Sequence, residues 1–553
     1  MKNIVFLILV ILSPTFLVAQ NVDWVNSIGG NVSDYVIATK TESNGNLLLA
    51  GHFEGTVDFD SGPGTFNLTS TDIRSYFILK TDSDGNFIWV KSISQAQIED
   101  LNIDPLGNVY LTGEFSNTID FDPGSGIYNL SSNGFYDFFV LKLDANGDFV
   151  WAKNIGGESH DIGQSIAIDS QGNIHVSGYF GNTVDFDPGT EIYNLTSNGY
   201  DDIFVLKLDA QGNFLWAKTM GSPDIGLDMG LSIFVDNLGN VYTTGPFTHT
   251  VDFDPGESTY ILTSEGYEDA FIQKLDSDGN FLWAKQIGST GYDRSHSILC
   301  DGEGNVYTKG YYHHTVDFDP GTGTYNLNSD ESGEFFILKL DTEGNFIWVM
   351  STHAVVLSFT SDVNNDIFFT GYFQDTVDFD SGPDVYNLIS NGDLDGFVQK
   401  ITANGNFLWA KNIGGVSYDF ANNIALDISG NLIVSGVYTE TSDFNTEDDI
   451  THTSNGGWDI YYLKITNTAL DIKELQYANI IIYPNPSNGT VNIDLGALSD
   501  ATVRVFSING KLLYQKEYIN TPIHQFELNR SKGLYLIEIS TREKRLHYKL
   551  ILN

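Results

Sequence analysis

Hydrophobic and polar residues alternate in short runs along most of the chain, and the runs come in pairs joined by Gly-Asn turns. In one stretch SIAID and IHVSGYF flank SQGN (165–180), and in the next DIFVLKLD and FLWAKTM flank AQGN (202–220). β-Branched and aromatic residues that alternate around such a turn predict an antiparallel hairpin. Helical periodicity is absent. The pattern therefore predicts four short strands, arranged as two hairpins.

This four-strand pattern recurs about every 65 residues. Tryptophans in the same aromatic context lie at positions 24, 89, 151, 216, 283, 348 and 409. The triplet DFD begins at residues 58, 120, 185, 252, 317 and 378, and a degenerate seventh copy contains Asp443. Seven copies of a four-stranded unit predict an all-β fold, a seven-bladed β-propeller. A β-solenoid is the competing architecture, but its coils are usually much shorter.

The phase of the repeat predicts how the ring closes. The first period begins with the tryptophan strand alone, at residues 22–28, and the last ends at residues 459–465 with no tryptophan strand after it. We therefore expect the N-terminal strand to complete the seventh blade, which removes open sheet edges. Closure would also stabilise a chain in which Cys300, expected to be a buried and unreactive thiol, is the only cysteine.

Several segments resemble a bacterial β-propeller repeat family whose units read roughly GNVYVTG … DAFVAKLDPDGNLLW. The similar segments are GNVYLTG (107–113), GNVYTTG (239–245) and the FVLKLD–GNFLWAK hairpins. The resemblance covers residues 21 to about 466 and implies a fold far more than a function. We assign residues 20–466 to the propeller and residues 467–479 to a linker.

Residues 480–553 differ from the repeat, and their alternating strands with Asn-Gly turns predict a small β-sandwich. YPNPSNG (483–489), NGK (509–511), GLYLIEI (533–539) and a terminal YKLIL (548–552) resemble a type IX secretion C-terminal sorting domain, type A-like. The resemblance implies recognition by an outer-membrane translocon, followed by release or anchoring at the cell surface. An ordinary accessory sandwich is the alternative. The implied sorting-signal positions are Tyr483, Pro484, Asn485, Pro486, Gly489, Gly510, Gly533, Tyr535 and Lys549.

The N-terminal segment predicts a signal peptide. Lys2 precedes an apolar run (4–12), and Ala19 is a small residue suited to cleavage before Gln20. A buried N-terminal helix is the alternative, and no other apolar stretch approaches the length of a membrane span. Together with the sorting domain, the segment predicts a protein secreted or displayed at the cell surface, through the periplasm and across the outer membrane.

The formal net charge of −45 limits the classes of partner. Residues 470–553 carry ten Lys/Arg and eight Asp/Glu, so the rest of the chain carries −47. Such a field repels nucleic acids and anionic lipid surfaces, and it is compatible with divalent cations, cationic partners or simple solubility.

The paired aspartates of the DFD triplets allow two interpretations. Two carboxylates on one face of an extended segment could begin a calcium site, which needs six to eight oxygens. Asp-Pro-Gly is also a common tight turn, which we favour because two copies read DFDSGP and keep the turn residues while moving the proline. Calcium is the only cofactor that the sequence suggests. The candidate metal ligands are Asp58, Asp60, Asp120, Asp122, Asp185, Asp187, Asp252, Asp254, Asp317, Asp319, Asp378 and Asp380.

Other candidate chemistry is sparse. The segment LDSDGNF (275–281) resembles the start of a calcium loop, but sister copies do not keep its second acidic position, which favours a plain turn. The pair His313–His314 occurs in one copy only, and exposed polar residues are the simpler interpretation. No nucleophile elbow, zinc motif, P-loop or cysteine cluster is present.

Three classes of function therefore stay open, with no catalytic residue assigned. The first is a non-enzymatic binding or adhesion module, with a glycan or protein ligand held by loops at one end of the ring. The second is a glycan-acting hydrolase or lyase, which predicts a cluster of non-repeated acidic residues at one mouth of the ring. A passive spacer is the third and simplest alternative.

Overall fold

The structure is a computed structural model. It describes residues 22–444, 450–466, 481–483, 487, 489–494, 500–507, 511–519, 523–528, 530, 532–540 and 545–552. The chain divides into two compact units, Gln20–Asn467 and one that contains Thr468–Asn553. The predicted signal peptide (1–19) and linker (467–479) lie outside the described residues.

The first unit is a seven-bladed β-propeller, as predicted. Each blade has four antiparallel strands, labelled A to D in sheet order, and strand A of most blades contacts strand A of the next blade on the inside of the ring. Blades 1 to 4 comprise Tyr35–Thr41, Leu47–Phe53, Ser75–Thr81 and Phe87–Ser94; Ala96–Ile103, Val109–Phe115, Asp137–Leu143 and Phe149–Ile155; Asp161–Ile168, Ile174–Phe180, Asp202–Leu208 and Phe214–Met220; and Ser232–Val235, Val241–Phe247, Asp269–Leu275 and Phe281–Ile287. Blades 5 to 7 comprise Arg294–Cys300, Val306–Tyr312, Glu334–Leu340 and Phe346–Thr352; Val355–Ser361, Ile367–Phe373, Asp395–Ile401 and Phe407–Gly415; and Asp419–Leu426, Leu432–Tyr438, Asp459–Ile465 and Val22–Ile28.

The N-terminal strand closes the ring, which confirms the prediction from the phase of the repeat. Val22–Ile28 is strand D of blade 7 and pairs antiparallel with strand C, with Val25 opposite Leu463. Strand A of blade 1 then packs against blade 7, where the hydroxyls of Thr39 and of Ser435 in strand B lie 2.6 Å apart. Strands distant in sequence are thus held by a full backbone ladder without any disulfide.

Each blade also carries a two-stranded side hairpin between strands B and C, which the sequence did not predict. Three-residue strands are too short for an alternating pattern to stand out against the Gly, Pro, Ser and Asn residues around them. The hairpins pair Thr56–Asp58 with Asn67–Thr69, Thr118–Asp120 with Asn129–Ser131, Thr183–Asp185 with Asn194–Thr196, Thr250–Asp252 with Ile261–Thr263, Thr315–Asp317 with Asn326–Asn328, Thr376–Asp378 with Asn387–Ile389, and Thr441–Asp443 with Thr451–Thr453.

The phenylalanine of each DFD triplet anchors its side hairpin to the blade core. In blade 3, Phe186 is fully buried, with its ring centroid 5.1 Å from Phe180 and 5.3 Å from Phe204. Burying such a ring contributes about 2–3 kcal/mol. The triplet is therefore a core residue flanked by two polar ones, which accounts for its repetition.

The repeated Lys and Trp residues join adjacent blades. The Nζ of Lys207 and the Nε1 of Trp216, on strands C and D of blade 3, both donate to the carbonyl of Ser277 in blade 4, at 3.0 and 3.2 Å. Lys339 and Trp348 of blade 5 hold Ala403 of blade 6 in the same way. These bonds explain why the motif FVLKLD–GNFLWAK recurs.

The glycine after the repeated Thr or Ser of strand B allows strand A to bulge. In blade 3 the pairing register shifts between Gly163 and Ser165, and a β-carbon on Gly178 would lie 1.9 Å from the carbonyl oxygen of Ile162. Only glycine tolerates this approach. The bulge turns one additional residue of strand A out of the ladder.

The second unit has the predicted β-sandwich architecture. A three-stranded sheet contains Ile481–Tyr483, Thr490–Asp494 and Ile523–Glu527, and a four-stranded sheet contains Leu512–Ile519, Asp500–Ser507, Gly533–Ser540 and Arg545–Leu552. Side chains from both sheets, including Val491, Val503 and Ile537, form one apolar core.

Candidate functional site

Strands A and C begin, and strands B and D end, at the same end of the ring, which we call the mouth. Two positions at the mouth carry different types of residue in different blades. One is the bulge residue of strand A, in the six blades where strand A bulges, and the other is the residue after the strand-B glycine. The bulge residues are Ile37, Glu99, Gln164, His296, Leu357 and Asn422. The residues after the glycine are His52, Glu114, Tyr179, Pro246, Tyr311, Tyr372 and Val437. Variation on a repeated scaffold is typical of a ligand-binding surface.

Six rings from blades 6, 7 and 1 form a continuous row at the mouth, which we call the aromatic arc. All of them are half-buried except Tyr76, which is buried. Burial lowers the pKa of His52 to about 4, so its ring is neutral and packs as an aromatic group. Consecutive ring centroids are 4.4 Å (Tyr372–Phe420), 5.0 Å (Phe420–Trp458), 6.0 Å (Trp458–Tyr35), 4.9 Å (Tyr35–His52) and 5.8 Å (His52–Tyr76) apart.

Exposed aromatic rings also stand on the loops that precede strands A and C. Phe135 is 68% exposed and stacks on His160, with centroids 5.3 Å apart and planes at 10°. Tyr267 is 67% exposed and stacks on Tyr292 at 4.8 Å and 8°. Tyr418 extends the aromatic arc outward, 6.1 Å from Trp458. Rings exposed in this way offer flat apolar faces to a ligand.

Blade 2 contributes the non-repeated carboxylates that the enzyme hypothesis predicts at a mouth. Glu99 is the bulge residue, and Glu114 lies opposite Gln97 across the ladder. Burial, reinforced by repulsion from Glu99, raises the pKa of Glu114 to about 7. Burial also raises the pKa of Glu99, against a hydrogen bond from Gln97. Tyr179 of blade 3 has its pKa raised to about 12, by burial first and by these carboxylates second.

An ion pair lies on the other side of the mouth. The guanidinium of Arg294 in blade 5 forms a bidentate pair with the carboxylate of Glu268 in blade 4, with Nη2 2.8 Å from Oε1. His296 is close by, and burial lowers its pKa to about 3. The mouth therefore combines aromatic faces, carboxylates and guanidinium groups, but the sequence identified none of these residues because the positions that they occupy vary from blade to blade.

Buried aspartate pairs at five blade junctions were also missed. One aspartate begins strand C of a blade, and the other lies at the start of strand A of the next blade, where each pair is within electrostatic reach. The sequence does show an aspartate repeated at the start of strands A and C. It does not show that the two aspartates pair, because they meet only when neighbouring blades pack side by side in the ring. The pairs are Asp459–Asp34, Asp137–Asp161, Asp202–Asp228, Asp269–Asp293 and Asp395–Asp419.

Asp161 illustrates the chemistry of these junctions. Its Oδ2 accepts the N–H of Gly157 at 2.7 Å, and its Oδ1 accepts that of Gly181 at 3.3 Å. Burial, supported by repulsion from Asp137, nevertheless raises its pKa to about 7. A β-carbon on Gly156 would lie 2.3 Å from the Asp137 carboxyl carbon, so the glycine ending strand D makes room for the pair.

The structure places the DFD aspartates in the tips of the side hairpins. In blade 3, Asp185 Oδ1 accepts the N–H groups of Asp187 and Tyr193, and Asp187 Oδ1 accepts that of Gly189. The same bonds recur at Asp58 and Asp60, Asp120 and Asp122, Asp252 and Asp254, Asp317 and Asp319, and Asp378 and Asp380. Among the described residues, no three His, Cys, Asp or Glu side chains could together hold a metal ion. The calcium role stays a prediction.

The remaining single-copy candidates have local structural roles. The ring of His313 lies 3.2 Å from the carbonyl of Tyr292. His314 has φ of 63°, a left-handed conformation that Asn117 and Asn182 share at the corresponding turns. Cys300 is a buried free thiol, and burial raises its pKa, which makes it unreactive.

Comparison with known families assigns both units. Residues 481–553 match the model of the secretion system C-terminal sorting domain, and residues 150–179 match that of the beta-propeller repeat. The chain thus carries a β-propeller repeat and a C-terminal sorting domain of a secretion system. Such a domain marks proteins exported across the outer membrane to the cell surface or secreted, and it interacts with the secretion machinery. No helix in the described part of the chain is long and apolar enough to span a membrane.

Individual relatives are distant. An uncharacterized WD repeat-containing protein of Acanthamoeba polyphaga mimivirus is 24% identical over 476 residues, 75% of this chain and 31% of that protein. An ulvan lyase of Nonlabens ulvanivorans is 29% identical over 111 residues, 20% of this chain and 21% of the lyase. A puromycin hydrolase variant matches structurally at 9% identity and a TM-score of 0.35, covering 84% of this chain and 59% of the hydrolase. The chain thus spans under a third of the length of the mimivirus protein and of the ulvan lyase.

The predicted sorting-signal residues fall partly within the described sorting domain. Tyr483 ends the first strand and is partly exposed, Gly489 has φ of 117°, Gly533 begins a strand of the four-stranded sheet, and Tyr535 is buried in the core. Lys549 lies on the last strand, opposite Leu536. Pro484, Asn485, Pro486 and Gly510 lie outside the described residues. Their roles as sorting signals stay predictions.

Proposed function

We propose that the propeller is an extracellular glycan-binding module that serves adhesion, with the mouth as its binding surface. The aromatic arc carries the proposal, because the C–H faces of sugar rings pack on aromatic faces while their hydroxyls need carboxylates and guanidinium groups. Glu99, Glu114 and Arg294 supply those polar groups at the same end of the ring. The strong negative charge favours neutral over sulfated or carboxylated glycans.

The export route forms part of the same proposal. The signal peptide at residues 1–19 would direct the chain across the inner membrane, and the sorting domain would then deliver the propeller to the type IX machinery. Removal of the sorting domain would leave the mouth exposed at the cell surface or in the medium. Such delivery suits a module whose ligand is an extracellular polysaccharide.

Binding of the purified full chain to an array of neutral and anionic glycans tests the proposal. We expect binding to neutral glycans, and a loss of roughly tenfold in affinity or more for Tyr418→Ala and Tyr372→Ala, since each tenfold corresponds to about 1.4 kcal/mol. Tyr193→Ala is the matched control, because Tyr193 is similarly exposed but lies on a side hairpin. Equal loss in the control, or binding to anionic glycans alone, would contradict the proposal.

The second candidate is a glycan-acting hydrolase or lyase, as the pair Glu99 and Glu114 would favour. With a pKa of about 7, Glu114 could hold a proton near neutral pH and donate it to a leaving oxygen. Glu99 would then be the second carboxylate. We would incubate the full chain with each glycan that it binds and measure new reducing ends. Product that disappears in Glu114→Gln while binding persists would favour the enzyme; no product would favour the binding module.

A further inference from the structure

At four blade junctions, a lysine of strand D covers the C–D turn of the next blade. A side chain on the turn glycine would collide with this lysine, because a β-carbon placed on the glycine would lie 2.7–2.9 Å from the lysine Cε. Each lysine also acts electrostatically on an aspartate of the covered turn. The lysine, glycine and aspartate are Lys91, Gly147 and Asp144; Lys153, Gly212 and Asp209; Lys218, Gly279 and Asp276; and Lys285, Gly344 and Asp341.

The junction of blades 5 and 6 lacks both charged partners. Met350 occupies the lysine position and Thr402 the aspartate position. The Thr402 hydroxyl still accepts the N–H groups of Asn404 and Asn406, at 3.3 and 3.1 Å, so the turn is preserved without the charge. Above Gly405, the three heavy atoms nearest to a built β-carbon all belong to Trp348, at 3.1–3.3 Å. A cavity of about 510 Å³ lies here, which we call the outer groove.

The lining of the outer groove combines apolar and hydrogen-bonding groups. Tyr325 and Trp348 provide aromatic surface, and Asp380, Asp384 and Asn404 provide carboxylate and amide groups. Asp384 stands where blades 1, 2 and 5 have glycine, while blade 3 has Glu191 and blade 4 has Ser258. Asp380 Oδ1 accepts the N–H of Gly382, which leaves its second oxygen for other partners.

The chemistry of this lining selects one class of ligand. Replacing a Lys–Asp pair by Met and Thr removes one positive and one negative charge together, so this change leaves the net charge of the junction as it was. Aromatic surface beside carboxylates and an amide matches a sugar ring, with one apolar face and several hydroxyls. The volume lies within the range of about 300–1,000 Å³ typical of small-ligand sites.

We infer that the outer groove is a binding site for a neutral oligosaccharide, separate from the mouth. It is formed by strand D and the side hairpin of blade 5 together with the side hairpin and C–D turn of blade 6, at the outer edge of the ring. The inference stands on the contrast with the four lysine-covered junctions and does not depend on a ligand at the mouth. Two sites on one propeller would allow a polysaccharide to be held at two points.

The test introduces at this junction the lysine and the aspartate that the four lysine-covered junctions carry. In the full chain, Met350→Lys with Thr402→Asp should refill the outer groove, as Lys285 and Asp341 do one blade earlier, with the melting temperature unchanged or higher. Calorimetric titration with hexasaccharides of glucose, mannose and xylose should show binding by the native protein and at least tenfold weaker binding by this double variant. Asp384→Ala, a change in an exposed loop, should weaken binding to a similar extent.

A mouth variant separates this inference from the proposed function. Tyr418→Ala should leave calorimetric binding at the outer groove intact. Hexasaccharide binding that is lost in Tyr418→Ala but unchanged in the double variant and in Asp384→Ala would place the only site at the mouth and overturn the inference. Absence of binding by the native protein to all three hexasaccharides would overturn it too, whatever the mouth binds.

Discussion

The buried junction aspartates predict an unusual dependence of stability on pH, which Asp161→Asn isolates. Asp161 is fully buried, and its pKa rises from 3.8 in the unfolded chain to about 7 in the folded one. Between these values the folded state keeps a proton that the unfolded state has lost. The contribution of Asp161 to the free energy of unfolding therefore falls as pH rises through this range and levels off above the folded pKa.

The magnitude follows from the shift. Each pKa unit corresponds to about 1.4 kcal/mol, so the whole shift of Asp161 amounts to about 4 kcal/mol. Between about pH 5 and pH 8, this one group should lower the free energy of unfolding by about 2–3 kcal/mol. The asparagine side chain does not titrate, so the variant should lose less stability than the native protein over that interval. Its fixed cost, from an amide facing the N–H groups of Gly157 and Gly181, cancels in the comparison.

Urea unfolding followed by tryptophan fluorescence at both pH values provides the assay. The quantity to compare is the change in unfolding free energy between the two pH values, for the native protein and for Asp161→Asn. Asp84→Asn is the control, since Asp84 lies in an exposed turn and its substitution should leave the pH dependence as it is. If the native protein and Asp161→Asn lose the same stability between the two pH values, the assignment of a raised pKa to Asp161 is refuted.

Three further predictions address the framework. Trp216→Phe removes the hydrogen bond to the Ser277 carbonyl, whereas Trp151→Phe removes none, because the Nε1 of Trp151 has no hydrogen-bond partner among the described residues. Trp216→Phe should therefore lower the unfolding free energy by about 1 kcal/mol more than Trp151→Phe. Equal urea midpoints for the two variants would contradict the role of that bond. Asp185→Ala should cost about 1 kcal/mol equally in calcium and in EDTA, because its carboxylate serves the turn; a calcium-dependent rise in native melting temperature that Asp185→Ala abolishes would instead support the metal site. Cys300 should react with a maleimide only after denaturation, as mass spectrometry can show, and rapid labelling of the folded protein would contradict its burial.

The fold could be predicted from the sequence because its determinants repeat. Trp216 and Lys207 recur in nearly every period, since every junction needs the same contact with a neighbouring turn. Closure by the N-terminal strand followed from counting strands in each period. The side hairpins were missed because three-residue strands give no periodic signal. The repeated phenylalanine of DFD was the available signal, and the structure shows that Phe186 is buried in the core.

The site could not be predicted in the same way, because it depends on positions brought together by the ring. Tyr35 and Trp458 are separated by almost the whole propeller sequence, yet they are neighbours in the aromatic arc only because blade 7 closes against blade 1. The pairing of Asp34 with Asp459 has the same origin. Motif spacing cannot identify contacts between residues so far apart.

A general argument connects the two proposed sites. In a ring of copies, a residue that repeats is explained by the junction or core that every blade shares, so departures from the repeat indicate function. Glu99 and Glu114 depart from it at the mouth, and Met350 and Thr402 depart from it together at the outer groove. The second case is the more informative, because both charged residues of the sister junctions are replaced together, the turn is preserved, and a cavity lies beside it. At the junction of blades 7 and 1, by contrast, only the lysine is replaced: Asn26 stands in its position beside the turn that keeps Asp82, and its amide donates to the Gly85 carbonyl at 3.0 Å. The single change leaves that turn covered, whereas the paired change between blades 5 and 6 leaves a cavity.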